Sequence, residues 1–87
     1  MNPATPTFLK LRHVVMIDQL GSLTAASRML AISQPALTKS VADFEAMLGT
    51  KLFERHARGV RPTEAGRQLV EGAKRILADT DDLLERV

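Results

Sequence analysis

The chain has 87 residues, 45% of them hydrophobic, no cysteine, and a formal net charge of +2 from twelve Lys and Arg against ten Asp and Glu. That is room for one small domain with a modest core. It excludes a disulfide framework and thiolate metal sites, a composition that suits the reducing cytoplasm. The apolar runs are too short to span a bilayer, which excludes membrane insertion.

The opening "MNPATPTF" has two prolines and no apolar core behind positive charge. It is therefore not a signal peptide, and residues 1–7 are expected to form a flexible lead-in. A first helix is expected from Phe8 to Leu20, with Leu9, Leu11, Val14, Val15 and Ile17 as its apolar positions and Gly21 as a left-handed cap. Ser22 can cap a second helix, Leu23 to Leu30, whose Ala25, Ala26 and Ser27 let another helix pass close. Only "AIS" separates it from the next start, so the two helices must cross steeply in a helix-turn-helix, with Ile32 plugging the corner.

The third helix is expected over Gln34–Leu48, opened by Ser33 and Pro35 and closed by Gly49. Leu37, Val41, Phe44 and Leu48 fall on one arc and should be buried. The opposite arc holds Pro35, Lys39, Ala42 and Ala46, flanked by Gln34, Ala36 and Thr38, and the first acids, Asp43 and Glu45, come only in the third turn. Small residues allow close approach to a groove. Gln, Thr and Lys at the amino end, with the unpaired amides of the first turn, offer hydrogen bonds to base edges and phosphates. Ser33, Gln34, Pro35, Ala36, Thr38 and Lys39 are thus the candidate major-groove residues.

In "TKLFERHARGVRPT", Lys51–Arg55 and Gly59–Arg61 can pair as two short strands, and Arg55, Arg58 and Arg61 would line a projecting wing that reaches phosphates or the minor groove. Charge is distributed accordingly. Five Lys and Arg and one His face two acids between Lys51 and Arg67, while Asp79–Glu85 holds four acids and no base. Thr63 can cap a last helix running from Glu64 to the end of the chain, roughly 35 Å at about 1.5 Å per residue. Its apolar stripe, Leu69, Ala73, Ile76, Leu77, Thr80, Leu83, Leu84 and Val87, is longer than three short helices can cover, so it is assigned to a dimer interface.

Over roughly Leu9 to Ile76 the chain resembles the amino-terminal domain of LysR-type transcriptional regulators. Three motifs occur in the family's order: "GSLTAASRML", "SQPALTKSV" and "LGTKLFERHARGVRPTEAG". The resemblance implies a mainly α winged helix-turn-helix over 8–62 and a linker helix over 63–87. It also implies homodimers on the inverted repeats of promoters, tetramers in the full-length protein, and a carboxy-terminal domain that binds a small-molecule effector. On that reading this sequence is a truncated piece of a bacterial regulator. Lys39 stands where Arg is frequent in the family, Phe44 where Leu is frequent and Pro62 where Leu is usual. Lys lacks the guanidinium fork, so position 39 suits a phosphate or single-bond contact better than a bidentate guanine contact.

Other chemistries lack their residues. There is no Gly-rich phosphate loop and no serine, histidine and carboxylate motif, so no enzyme activity and no cofactor is expected. Asp79, Asp81, Asp82 and Glu85 lack the spacing of a calcium loop and read as a solvated face, and His13 reads as a packing or surface residue. Three Phe with no Tyr or Trp make a poor stacking platform for single strands, which leaves duplex DNA. The competing class is a protein-interaction module that docks through the last helix.

Overall fold

The computed structural model describes residues 7–87. Four helices and a hairpin follow in the order α1 (Thr7–Leu20), α2 (Leu23–Leu30), α3 (Gln34–Leu48), β1 (Phe53–His56), β2 (Gly59–Pro62) and α4 (Glu64–Arg86). Of the expected lead-in, residues 1–6 lie outside the described residues, and Thr7 already belongs to α1.

One device starts three of the helices. Ser22, Ser33 and Thr63 are extended and their hydroxyl oxygens accept from the amides of Ala25, Ala36 and Gly66 at 3.0–3.1 Å. Each cap is worth about 1 kcal/mol. The α2–α3 corner closes through Ala31, which sits at φ 57° without being glycine, and through the Ile32 amide donating to Ser27 O at 3.0 Å. This tight closure seats Ile32 against the core of Ile17, Ala26, Leu37 and Val41, as the sequence leads one to expect.

Helix α1 is the central element, packed against α2, α3 and α4. Two further core clusters radiate from it: Val14 with Phe44 and Leu52, and Val15 with Val70 and Ala73. This position corrects its expected face. Lys10 and His13 are buried along with Val14, Val15 and Ile17, whereas Leu9 is 41% exposed. A helix covered on three sides buries polar positions too, provided they find partners, and His13 Nδ1 lies 2.7 Å from Ser40 Oγ on α3. Leu48 is also corrected: it is 45% exposed at the last turn of α3, where none of the three core clusters reaches.

The hairpin begins two residues later than its sequence suggests. The amides of Leu52 and Phe53 donate to Glu45 Oε2 at 2.6 and 3.4 Å, and Leu52 O accepts from the Thr63 amide at 2.9 Å. These bonds commit Leu52 to α3 and to the start of α4, so the antiparallel ladder starts at Phe53↔Pro62 and ends at His56↔Gly59. Gly59 anchors it to the body. Its φ is +136° and a Cβ there would lie 2.2 Å from Gly21 O, which also accepts from the Val60 amide at 3.1 Å. No helix among the described residues is long and apolar enough to cross a membrane.

Candidate nucleic-acid interface

The inner arc of α3 is fixed by Leu37, Ser40, Val41 and Phe44, all buried. Burying Leu37 completely is worth about 1.5–3 kcal/mol, and it also sets the rotation of the helix. The outer arc follows from that rotation: Ser33, Gln34, Pro35, Ala36, Thr38, Lys39, Ala42 and Ala46 are exposed. All six candidate groove residues therefore lie together at the amino end, and no acid stands in the first two turns.

The local chemistry of this tip is narrower than a bare helix end. Ser33 Oγ accepts from the Ala36 amide at 3.1 Å and Ser33 O from the Leu37 amide at 3.0 Å, while Pro35 has no N–H. The expected set of unpaired first-turn amides reduces, among the described residues, to that of Gln34. Anion affinity at this end rests on side chains more than on the backbone. The Gln34 side chain is itself engaged, since Thr24 Oγ1 on α2 donates to Gln34 Oε1 at 3.0 Å. Sequence reasoning passed over Thr24, because its relation to Gln34 exists only once α2 and α3 have crossed.

Lys39 Nζ lies 2.9 Å from Asp43 Oδ2 one turn below, with 76% of the lysine side chain exposed. An exposed pair at this spacing is worth only about 0.3–0.5 kcal/mol, so a phosphate can take the ammonium at little cost. Glu45, the other acid, is a structural group: besides holding the Leu52 and Phe53 amides it lies 3.7 Å from Lys51 Nζ. Its position one turn before Gly49 was the only available signal.

The wing stands beside the outer arc of α3. Thr38, Ala42 and Glu45 form one bank of an open groove of about 480 Å³, and Phe53 and Arg55 form part of the other. Arg55, Arg58 and Arg61 are all exposed, and none is in an ion pair among the described residues. They do not share a face. Opposed residues of an antiparallel pair point to the same side, so Arg55, opposite Val60, shares the α3 side with Phe53, and Arg61, opposite Glu54, points to the other. Arg58 sits in the turn between them.

The stripe assigned to a dimer interface divides in two. Ala73 is 1% exposed inside the cluster with Val15 and Val70, and Leu69 and Leu77 pack onto this chain's own core. Ala73 is thus a core residue and not available to a partner: the first half of α4 must cover α1. Beyond it, Ile76, Leu83, Leu84 and Val87 are 48, 57, 67 and 103% exposed, and Thr80, half-buried, donates to Ile76 O at 2.8 Å. No cluster of three or more His, Cys, Asp or Glu able to hold a metal is present among the described residues.

A helix delivered by a tight turn, with an exposed acid-free tip and a flanking hairpin that carries unpaired arginines, defines a winged helix-turn-helix domain. Residues 8–67 match the family described as bacterial regulatory helix-turn-helix proteins of the lysR family. The chain belongs to that family and is a LysR-type helix-turn-helix DNA-binding domain.

The chain is similar to the transcriptional regulator GalR of Pseudomonas putida, 37% identical over 76 residues that cover 87% of this chain and 19% of that protein. It is also similar to the nitrogen assimilation regulatory protein nac of Escherichia coli, 46% identical over 70 residues that cover 80% and 23%. It spans about a fifth to a quarter of the length of the curated relatives it matches. Among solved structures, the DNA-binding domain of CbnR in complex with DNA superposes with a TM-score of 0.83 at 35% identity, covering 91% of each chain. That of BenM with catB site 1 DNA does so with a TM-score of 0.87 at 30% identity, covering 91% of this chain and 88% of the other.

Proposed function

We propose that this domain recognises promoter DNA by inserting the amino end of α3 into a major groove. Ser33, Gln34, Pro35, Ala36, Thr38 and Lys39 lie nearest the duplex, and Arg55, Arg58 and Arg61 hold the backbone and minor groove alongside. The observation that carries this reading is the shared surface: Thr38 and Ala42 of the exposed outer arc of α3 and Arg55 of the wing border one open groove, with Glu45 and Glu54 at its rim and Lys51 beside them, while the amino end of α3 itself carries no acid. The CbnR and BenM neighbours, both solved with DNA, support it. The activity is binding without catalysis, in the cytoplasm, within a longer regulator whose effector acts through a further domain.

Two copies pair through the outer end of α4, where Ile76, Leu83, Leu84 and Val87 are open to a partner. Their recognition helices then meet successive major grooves of an inverted repeat about one helical turn apart.

Selection of bound duplexes from a randomised pool tests this. Enrichment of an inverted repeat with that spacing is expected; single half-sites would remove the dimer, and no enrichment would favour a protein-docking role for α4. With roughly four phosphates neutralised per copy, log affinity should fall with log salt at a slope near about −7. A slope near about −2 would remove the wing from the interface.

A further inference from the structure

Gln34 is held before any DNA arrives. Thr24, in the first turn of α2, donates its hydroxyl proton to Gln34 Oε1 at 3.0 Å, although both side chains are exposed. The donor itself has little freedom. Its β-branched side chain has only two favoured rotamers in a helix, and its backbone is fixed in α2, where Thr24 O accepts from the buried Ser27 Oγ at 2.9 Å. A free glutamine loses rotamer freedom on being fixed; the bond to Thr24 supplies part of that ordering in the folded domain.

The bond also chooses which end of the amide faces outward. With Oε1 turned toward α2, the Nε2 amino group is the end presented to a duplex, as a donor. In the major groove guanine offers N7 and O6, adenine N7 and thymine O4 as acceptors, whereas cytosine offers only its N4 amino donor. We infer that Thr24 is a specificity-determining positioning residue, which biases the Gln34 amide toward a donor-first orientation and so makes cytosine the disfavoured base at the position Gln34 reads. This rests on the assignment of Gln34 to the major groove made above. It adds a residue from the helix that does not enter the groove.

The test compares Thr24→Val, which keeps shape and removes the hydroxyl, with Thr24→Ser, which keeps the hydroxyl. Binding is measured to the selected duplex with each of the four base pairs at the position that Gln34→Ala relaxes, and thermal melting confirms that both variants fold. The wild type is expected to disfavour cytosine there by at least about fivefold. Thr24→Val should lose most of that discrimination at that position alone, Thr24→Ser should retain it, and Thr24→Val should add nothing in a Gln34→Ala background. If Thr24→Val weakens all four duplexes equally and leaves their ratios intact, Thr24 is a backbone contact and the inference is overturned. If Gln34→Ala relaxes no position, the groove assignment of Gln34 fails, and the role of Thr24 with it.

Discussion

His13 is the residue whose setting departs most from its chemistry. It is 5% exposed, its Nδ1 meets Ser40 Oγ, and burial lowers its pKa below the ordinary value of 6.5. The folded domain therefore refuses a proton that the unfolded chain accepts. Between the lowered pKa and 6.5 the unfolded state binds more protons, so stability rises with pH in that window, is complete above about 6.5 and is lost as pH falls below it. Thermal melts at pH 7.5, 6.5 and 5.5 should show the midpoint dropping over the last step in the wild type and dropping less in His13→Phe. Equal slopes in the two proteins would show that His13 is not the group responsible. In the variant, Ser40 can turn its hydroxyl to the carbonyl one turn back.

At the scale of elements, what the sequence disclosed follows the range of the interactions involved. Helix bounds were legible because capping is local: Ser22, Ser33, Thr63, Gly21 and Gly49 announce their roles within a few residues. The hairpin start was not, because it depends on Glu45 taking the Leu52 amide from seven residues away. Nor was the division of the wing arginines, since no spacing between Arg55 and Arg61 reveals that Glu54 opposes Arg61.

The wing mount gives a direct test at this scale. Gly59→Ala forces a Cβ against Gly21 O and demands an unfavourable φ, which together should cost about 2–6 kcal/mol of stability and flatten the salt dependence of DNA binding as the arginines move. Gly49→Ala, with nothing within 4 Å of its Cβ, meets only the left-handed backbone penalty of about 1–2 kcal/mol. Equal melting points for the two variants would mean that the contact with Gly21 yields easily.

In the whole molecule, the two halves of α4 differ in cover, and this explains why the stripe could not be apportioned from sequence. An apolar period of 3.6 marks residues that need cover without saying which body supplies it. Val70 and Ala73 are covered by α1 of the same chain, while Leu83 and Leu84 are not. Leu83→Glu with Leu84→Glu should leave the melting point of the domain nearly unchanged and yield a monomer by sedimentation that binds single half-sites. Ala73→Glu, by contrast, should unfold the domain by burying an unpaired charge. A dimer that survives both leucine changes would place the interface elsewhere.

The tie between Val60 N–H and Gly21 O joins main chain to main chain. Amide and carbonyl are present whatever side chains a chain carries, so the angle at which the wing stands beside α3 is indifferent to most substitutions within the wing itself. Arg55, Arg58 and Arg61 can then be exchanged, added to or lost one at a time without disturbing how the hairpin is aimed. The domain in effect carries a fixed bracket with replaceable fittings, whose charge can be retuned through single codon changes while the placement of α3 stays as it is.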